Sequence, residues 1–143
     1  MILISFFLIL KKKKMNTRDT FLSQLRGQAI GSISSESSIE ESFQNETLRP
    51  ILKLQNDLFI ASFKNYIERN KVEFQSKTIE AKLAVIDNAV QKDAKFSSMV
   101  KGIIIGLFTL EEYAVYSQNS SNINKRIMSM LLERLKSQVQ LFD

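Results

Sequence analysis

Apolar residues recur every three or four positions along most of this chain, a spacing that predicts helices rather than strands. Phe21, Leu22, Leu25 and Ala29 form a first stripe, with Asn16 or Thr17 available as its N-cap. Gly27 and Gly31 weaken the end of that helix. The five serines between Ser32 and Ser38 predict a flexible connection, because short polar side chains bond to their own backbone in place of a helix. Ser38 and Glu41 then have the spacing of a capping box that brings in Ile39 and Phe43. Asn45 or Thr47 is expected to cap a long helix near 47–70, with Pro50 in the first turn, where a missing N–H costs little. Leu52, Leu58, Phe59, Phe63, Tyr66 and Ile67 line its broad apolar face.

Asn70 offers the next N-cap, followed by Ile79, Leu83, Ile86 and Val90 on one face and Glu80, Lys82 and Asp87 on the wet side. Asp93 or Ser97 can open another helix, in which Lys101 is the one charge between Met99 and Leu110. Gly102 and Gly106 are four apart, but the apolar segment is too short for a membrane dimerisation face. It reads instead as the central helix of a core, its glycines letting a neighbour come close. Thr109 and Glu112 repeat the capping-box spacing ahead of Tyr113 and Tyr116. A last helix near 122–141 aligns Ile127, Met130, Leu131, Leu135 and Gln138, with Lys125, Arg126, Arg134 and Lys136 elsewhere. Each stripe must be covered by another, so the expected fold is all-α: a compact bundle of about five to six helices forming one domain over residues 15–143.

Composition supports a real core, since 44% of the 143 residues are hydrophobic and ten are phenylalanine. The net charge of +5 is misleading. Lys11, Lys12, Lys13 and Lys14 carry four of those charges, and the remaining sixteen basic residues face fifteen acids, which argues against nucleic acid as a partner. Residues 1–10 are nearly all apolar, yet as a helix they would rise only about 15 Å, half a hydrocarbon core. Their charge follows the apolar run, unlike a secretory signal. One reading is peripheral membrane attachment, with Phe6 and Phe7 in lipid and Lys11 and Lys12 at the headgroups. The favoured one is an extension ahead of a start at Met15, disordered or not native.

The chain contains no histidine and no cysteine, which removes the usual neutral-pH proton carrier, the ready thiolate and the commonest zinc ligands. No cofactor and no metal site is expected. The absence of cysteine fits a cytoplasmic location. The enzyme alternative is a lyase-type or carboxylate-metal catalyst, for which the weak candidates are Glu111, Glu112 and Lys101. The two glutamates stand about 100° apart on a helix, and Lys101 would need desolvation to act as a base. The expected alternative is helix-start acids and a lysine reaching to water. The string from Arg26 to Ser32 lacks the Lys-Ser/Thr ending of a phosphate loop and reads as a helix end. Arg49, Asn56, Asp57 and Asn65 form a polar row that either lines a ligand pocket or is one wet face.

The stronger lead is apolar surface on the last helix. Met128, Leu132, Val139 and Phe142 exceed what a narrow seam needs, and methionine-rich faces adapt to partners. The leading expectation is therefore a non-enzymatic interaction or regulatory domain that forms a homodimer or binds another protein.

The strings Phe43-Gln-Asn-Glu-Thr-Leu-Arg-Pro-Ile-Leu-Lys-Leu-Gln-Asn-Asp57, Lys101-Gly-Ile-Ile-Ile-Gly-Leu-Phe-Thr-Leu-Glu-Glu-Tyr113 and Asn119-Ser-Ser-Asn-Ile-Asn-Lys-Arg126 resemble a family of small, uncharacterised flavobacterial proteins. The resemblance covers Met15 to Phe142 and implies a bacterial cytoplasmic protein. Some members carry the name glyoxalase. Metal-dependent glyoxalases hold their ion through histidine and glutamate, so the residues here do not support that activity.

Overall fold

The computed structural model describes residues 16–32 and 34–143, and these form an all-α fold with no strand among them. Helix α1 spans Thr17–Arg26 and α2 spans Ile39–Phe43. A wide π turn, Gln44–Leu48, leads into α3, Arg49–Leu54, and α4, Asn56–Arg69. Then come α5 at Ile79–Gln91, α6 at Ala94–Ile105, α7 at Leu110–Gln118 and α8 at Ser120–Ser137, closed by a 3-10 turn at Val139–Phe142. Among the described residues, no helix is long and apolar enough to cross a membrane. The expectations for residues 1–14, including Phe6, Phe7, Lys11 and Lys12, lie outside the described residues.

Helix α8 is the spine of the bundle. Ile123, Ile127, Leu131 and Leu135 recur every fourth residue on one face, all buried, and α5 and α6 pack against it. Phe59, Phe63, Ile86, Val90, Val100 and Ile104 join the same core cluster. Burying one such side chain contributes about 1.5–3 kcal/mol. After α8 the chain turns back, so that Phe142 meets Phe63 with ring centroids 4.6 Å apart.

Several helix starts follow the predicted chemistry. Asn16, Ser38 and Asp93 each accept the backbone N–H three residues on, at 2.8, 3.1 and 3.0 Å. Thr109 and Glu112 form the full reciprocal box. Asn70 does not open a helix; it ends α4, and Thr78 caps α5 instead.

The predicted long helix is both longer and broken. Asn45 and Thr47 are not caps but buried residues of the π turn. Pro50 supplies the reason: it has no N–H, and its ring crowds the carbonyl four residues back. The chain widens just before it, with the Arg49 N–H bonding to the Gln44 carbonyl five residues back. At Gln55 the backbone leaves helical geometry (φ −92°, ψ 7°) and separates α3 from α4, although bonds from Gln55 N–H to Ile51 and from Phe59 N–H to Gln55 carry across it.

Three other expectations need correction. Gly102 and Gly106 do not admit a neighbouring helix; a side-chain carbon at Gly102 would meet nothing within 4 Å, and at Gly106 it would meet the Gly102 carbonyl of its own helix. Lys82 is buried rather than wet, its ammonium group 2.5 Å from Asp143 and over the Phe74 ring. Helix α1 turns most of its predicted stripe outward: Phe21 and Leu25 are 65% and 60% exposed, Leu22 is half-buried and Ala29 lies exposed beyond the helix end, while Asp19 is buried at 5%.

Candidate functional site

Polar groups hold α1 in that orientation. Arg18 donates to the carbonyls of Phe108 and Gly106, both at 2.9 Å, where α6 ends. Asp19 accepts the Leu110 N–H at 3.1 Å, the first amide of α7, where a carboxylate is favoured by the helix dipole. Arg26 grips both oxygens of Glu112, at 2.5 and 2.7 Å. Glu112 also accepts from the Thr109 N–H at 2.8 Å and the Thr47 hydroxyl at 2.6 Å. Burial pushes the Glu112 carboxyl upward, but the bonds from Arg26, Thr47 and Thr109 and the Arg26 charge outweigh it and leave the group below its ordinary value. A carboxylate has about four acceptor sites. Protein donors fill them here, so Glu112 is a structural tie with no free lone pair to offer a substrate.

Glu111 is exposed at the start of α7 and Lys101 is half-buried on α6; no hydrogen bond or ion pair joins either to Glu112 among the described residues. The same residues contain no group of three or more acids placed to hold a metal ion. Of the predicted apolar docking face, one residue is core and three keep part of their surface accessible. Phe142 is buried between Phe63 and Phe74, and Met128, Leu132 and Val139 are half-buried against the same cluster.

A polar groove lies between α3 and α8. Arg49 and Arg134 line it over a floor of Leu52 and Met130, with a volume of about 390 Å3. Neither arginine has a carboxylate partner in the ion pairs of the described residues. Each is instead oriented by a neutral amide. The Arg49 Nε donates to the Asn45 side-chain oxygen at 2.9 Å, and an Arg134 terminal nitrogen donates to the Asn56 oxygen at 3.3 Å. Asn56 is fixed in turn by a reciprocal pair of bonds with Gln138, both 2.8 Å. Asn45 is fixed by donating to the Ser32 carbonyl at 2.9 Å. Burial lowers the Arg134 pKa from its usual value, and the Arg49 charge lowers it further. Arginine stays protonated regardless.

Past Gln44 and Met130 the groove continues into a wider hollow of about 600 Å3 that holds Lys125, Arg126 and Glu40. Gln44 divides the two and accepts from Arg126 at 2.6 Å. Of the polar row predicted on the long helix, Arg49 lines the first groove and Asn56 holds Arg134 and Gln138 in its wall. Asp57 is exposed, and Asn65 lines a different hollow of about 290 Å3. There burial, aided by the Asp93 charge, raises the Tyr66 phenol. Sequence reasoning missed Arg134 and Gln138. The available signal was Gln138 itself, a polar residue in line with Ile127, Leu131 and Leu135.

No protein-family model, curated protein or solved structure matches the chain.

Proposed function

We propose that this chain is a non-enzymatic binding domain of the cytoplasm, with a regulatory role, that takes an anionic ligand in the groove between α3 and α8. One observation carries the reading: Arg49 and Arg134 share a groove, neither is in an ion pair among the described residues although Glu133 also lines the wall, and each is held in place by an amide that orients its charge without cancelling it. Two like charges lining one groove favour an anion there. The enzyme alternative built on Glu111, Glu112 and Lys101 is weaker because the Glu112 oxygens are occupied. Self-association through Met128, Leu132, Val139 and Phe142 is weaker because Phe142 fills the core.

The test is a thermal-shift screen of the full chain against small anions, neutral molecules and cations, since a ligand of the native state alone raises apparent stability. Anions should stabilise the protein selectively, and the double variant R49Q/R134Q should lose that response. Equal effects from all three classes, or an anion response that the double variant retains, would overturn the reading.

A further inference from the structure

We propose that the Arg49–Arg134 groove is a site for a small phosphate monoester, with the phosphoryl group between the two guanidiniums and the organic part lying on Leu52 and Met130. The inference rests on the reading of this groove as the binding surface, and adds the ligand class. Charge is the first argument. A phosphate monoester carries about −1.5 to −2 near neutral pH, matching two full positive charges, whereas a carboxylate neutralises only one. Geometry is the second. The Arg49 Nε and one Arg134 nitrogen are taken by Asn45 and Asn56, which holds both planes while the remaining N–H groups are available for paired contacts with phosphoryl oxygens.

Size and surroundings narrow the class. A volume of about 390 Å3 lies in the range of small-molecule sites. The half-buried Met130, seated beside the buried Leu52, gives an organic group apolar surface to cover. Glu133 also lines the groove, and Glu40 lies in the hollow beyond Gln44. Beyond the arginine pair the charges balance, Glu133 and Glu40 against Lys125 and Arg126, so the net positive charge is confined to Arg49 and Arg134 and suits a single phosphoryl group better than a run of phosphates.

The experiment titrates 15N-labelled full-length protein with phenyl phosphate, inorganic phosphate and benzoate at fixed ionic strength. Phenyl phosphate should bind saturably, shift the amides of residues 44–49 and 130–138, and bind about tenfold more tightly than benzoate. Inorganic phosphate should bind at the same residues but more weakly, having nothing to lay on Leu52 and Met130. Phenyl phosphate affinity should fall several-fold from about pH 7.5 to about pH 5.5 as the ester loses its second charge near pH 6. The charged groups facing the site are Arg49, Arg134, Glu133, Lys125, Arg126 and Glu40, and with no histidine in the chain that window reports on the ester. R49Q and R134Q should each weaken binding about tenfold, and R49K and R134K less, with melting temperatures close to that of the parent. Benzoate binding as tightly as phenyl phosphate would overturn the ligand class alone. No saturable binding of any probe, or binding indifferent to both glutamine variants, would overturn the ligand class and the groove together.

Discussion

Arg26 and Glu112 lie 86 positions apart in sequence and meet through two hydrogen bonds, closing α1 onto α7. The Arg26 side chain is only 6% exposed and that of Glu112 18%, so water does little to screen or replace the pair. The energetic weight of this contact lies in what happens when one partner is removed. Glu112→Gln leaves a buried guanidinium without its counter-charge and should destabilise the fold by about 3 kcal/mol, the low end for a fully buried pair. Urea denaturation of variant and parent measures it; a loss under about 0.5 kcal/mol would mean that α1 is not held by this contact.

The same pair predicts an acid-sensitive component of stability. The folded-state pKa of Glu112 lies below the ordinary 4.5 expected of the unfolded chain, so between those two values the unfolded state binds more protons. The contribution is fully present above the ordinary value and disappears as pH falls through the depressed one. Denaturation curves from neutral pH to pH 3 should therefore decline less steeply in Glu112→Gln than in the parent. Parallel curves would show that Glu112 titrates normally.

Gly31 predicts a link between the serine-rich connection and the arginine groove. Its φ of 110° disfavours any side chain, and an added carbon would come within 2.8 Å of the Asn45 amide. Gly31→Ala should cost more than about 1 kcal/mol and disturb the Asn45 contact that orients Arg49. Both are measurable on one sample, by urea titration and by the Arg49 Nε resonance. A neutral substitution with an unmoved resonance would rule out the close approach.

The inverted face of α1, set against the spine of α8 and the tucked-in C-terminal turn, gives opposite expectations for four apolar residues. Phe21→Ser and Leu25→Ser should each change stability by less than about 0.5 kcal/mol, because those rings and methyls already face water. Phe142→Ala should cost about 3–5 kcal/mol, and Ile127→Ala about 2–5 kcal/mol. Thermal melts of the four variants decide it: a large loss at Phe21 or none at Phe142 would reverse the assignment of inside and outside.

These contrasts show where sequence was legible. Caps at Asn16, Ser38, Asp93 and Thr109 were readable because their chemistry is local, and so was the spine of α8, whose apolar residues repeat at helical spacing. Helix α1 has just as clear a stripe, yet its orientation is set by Arg18, Asp19 and Arg26 finding partners about 90 residues away. Periodicity carries no information about such partners. Pro50 was visible, but its effect was placed in the wrong frame, as the start of a helix rather than a widening within one. The groove was half visible: Arg49 and Asn56 stood out as polar residues on an apolar helix, while Arg134 gained meaning only once α8 lay beside α3.

Pro50 also leaves two backbone oxygens to be satisfied by other means. Its missing amide would otherwise address the carbonyl of Glu46 or, in the wider register, that of Asn45; Ile30 N–H takes the Asn45 oxygen at 2.9 Å, and Arg26 approaches that of Glu46 at 3.5 Å. The vacancy in one helix is thus a socket for the segment that precedes it, and the Asn45 side chain at that socket also steadies Arg49. Protease cleavage near residues 28–32 should accordingly be felt at the guanidinium, and an anion that immobilises the guanidinium should slow the cut by the same coupling.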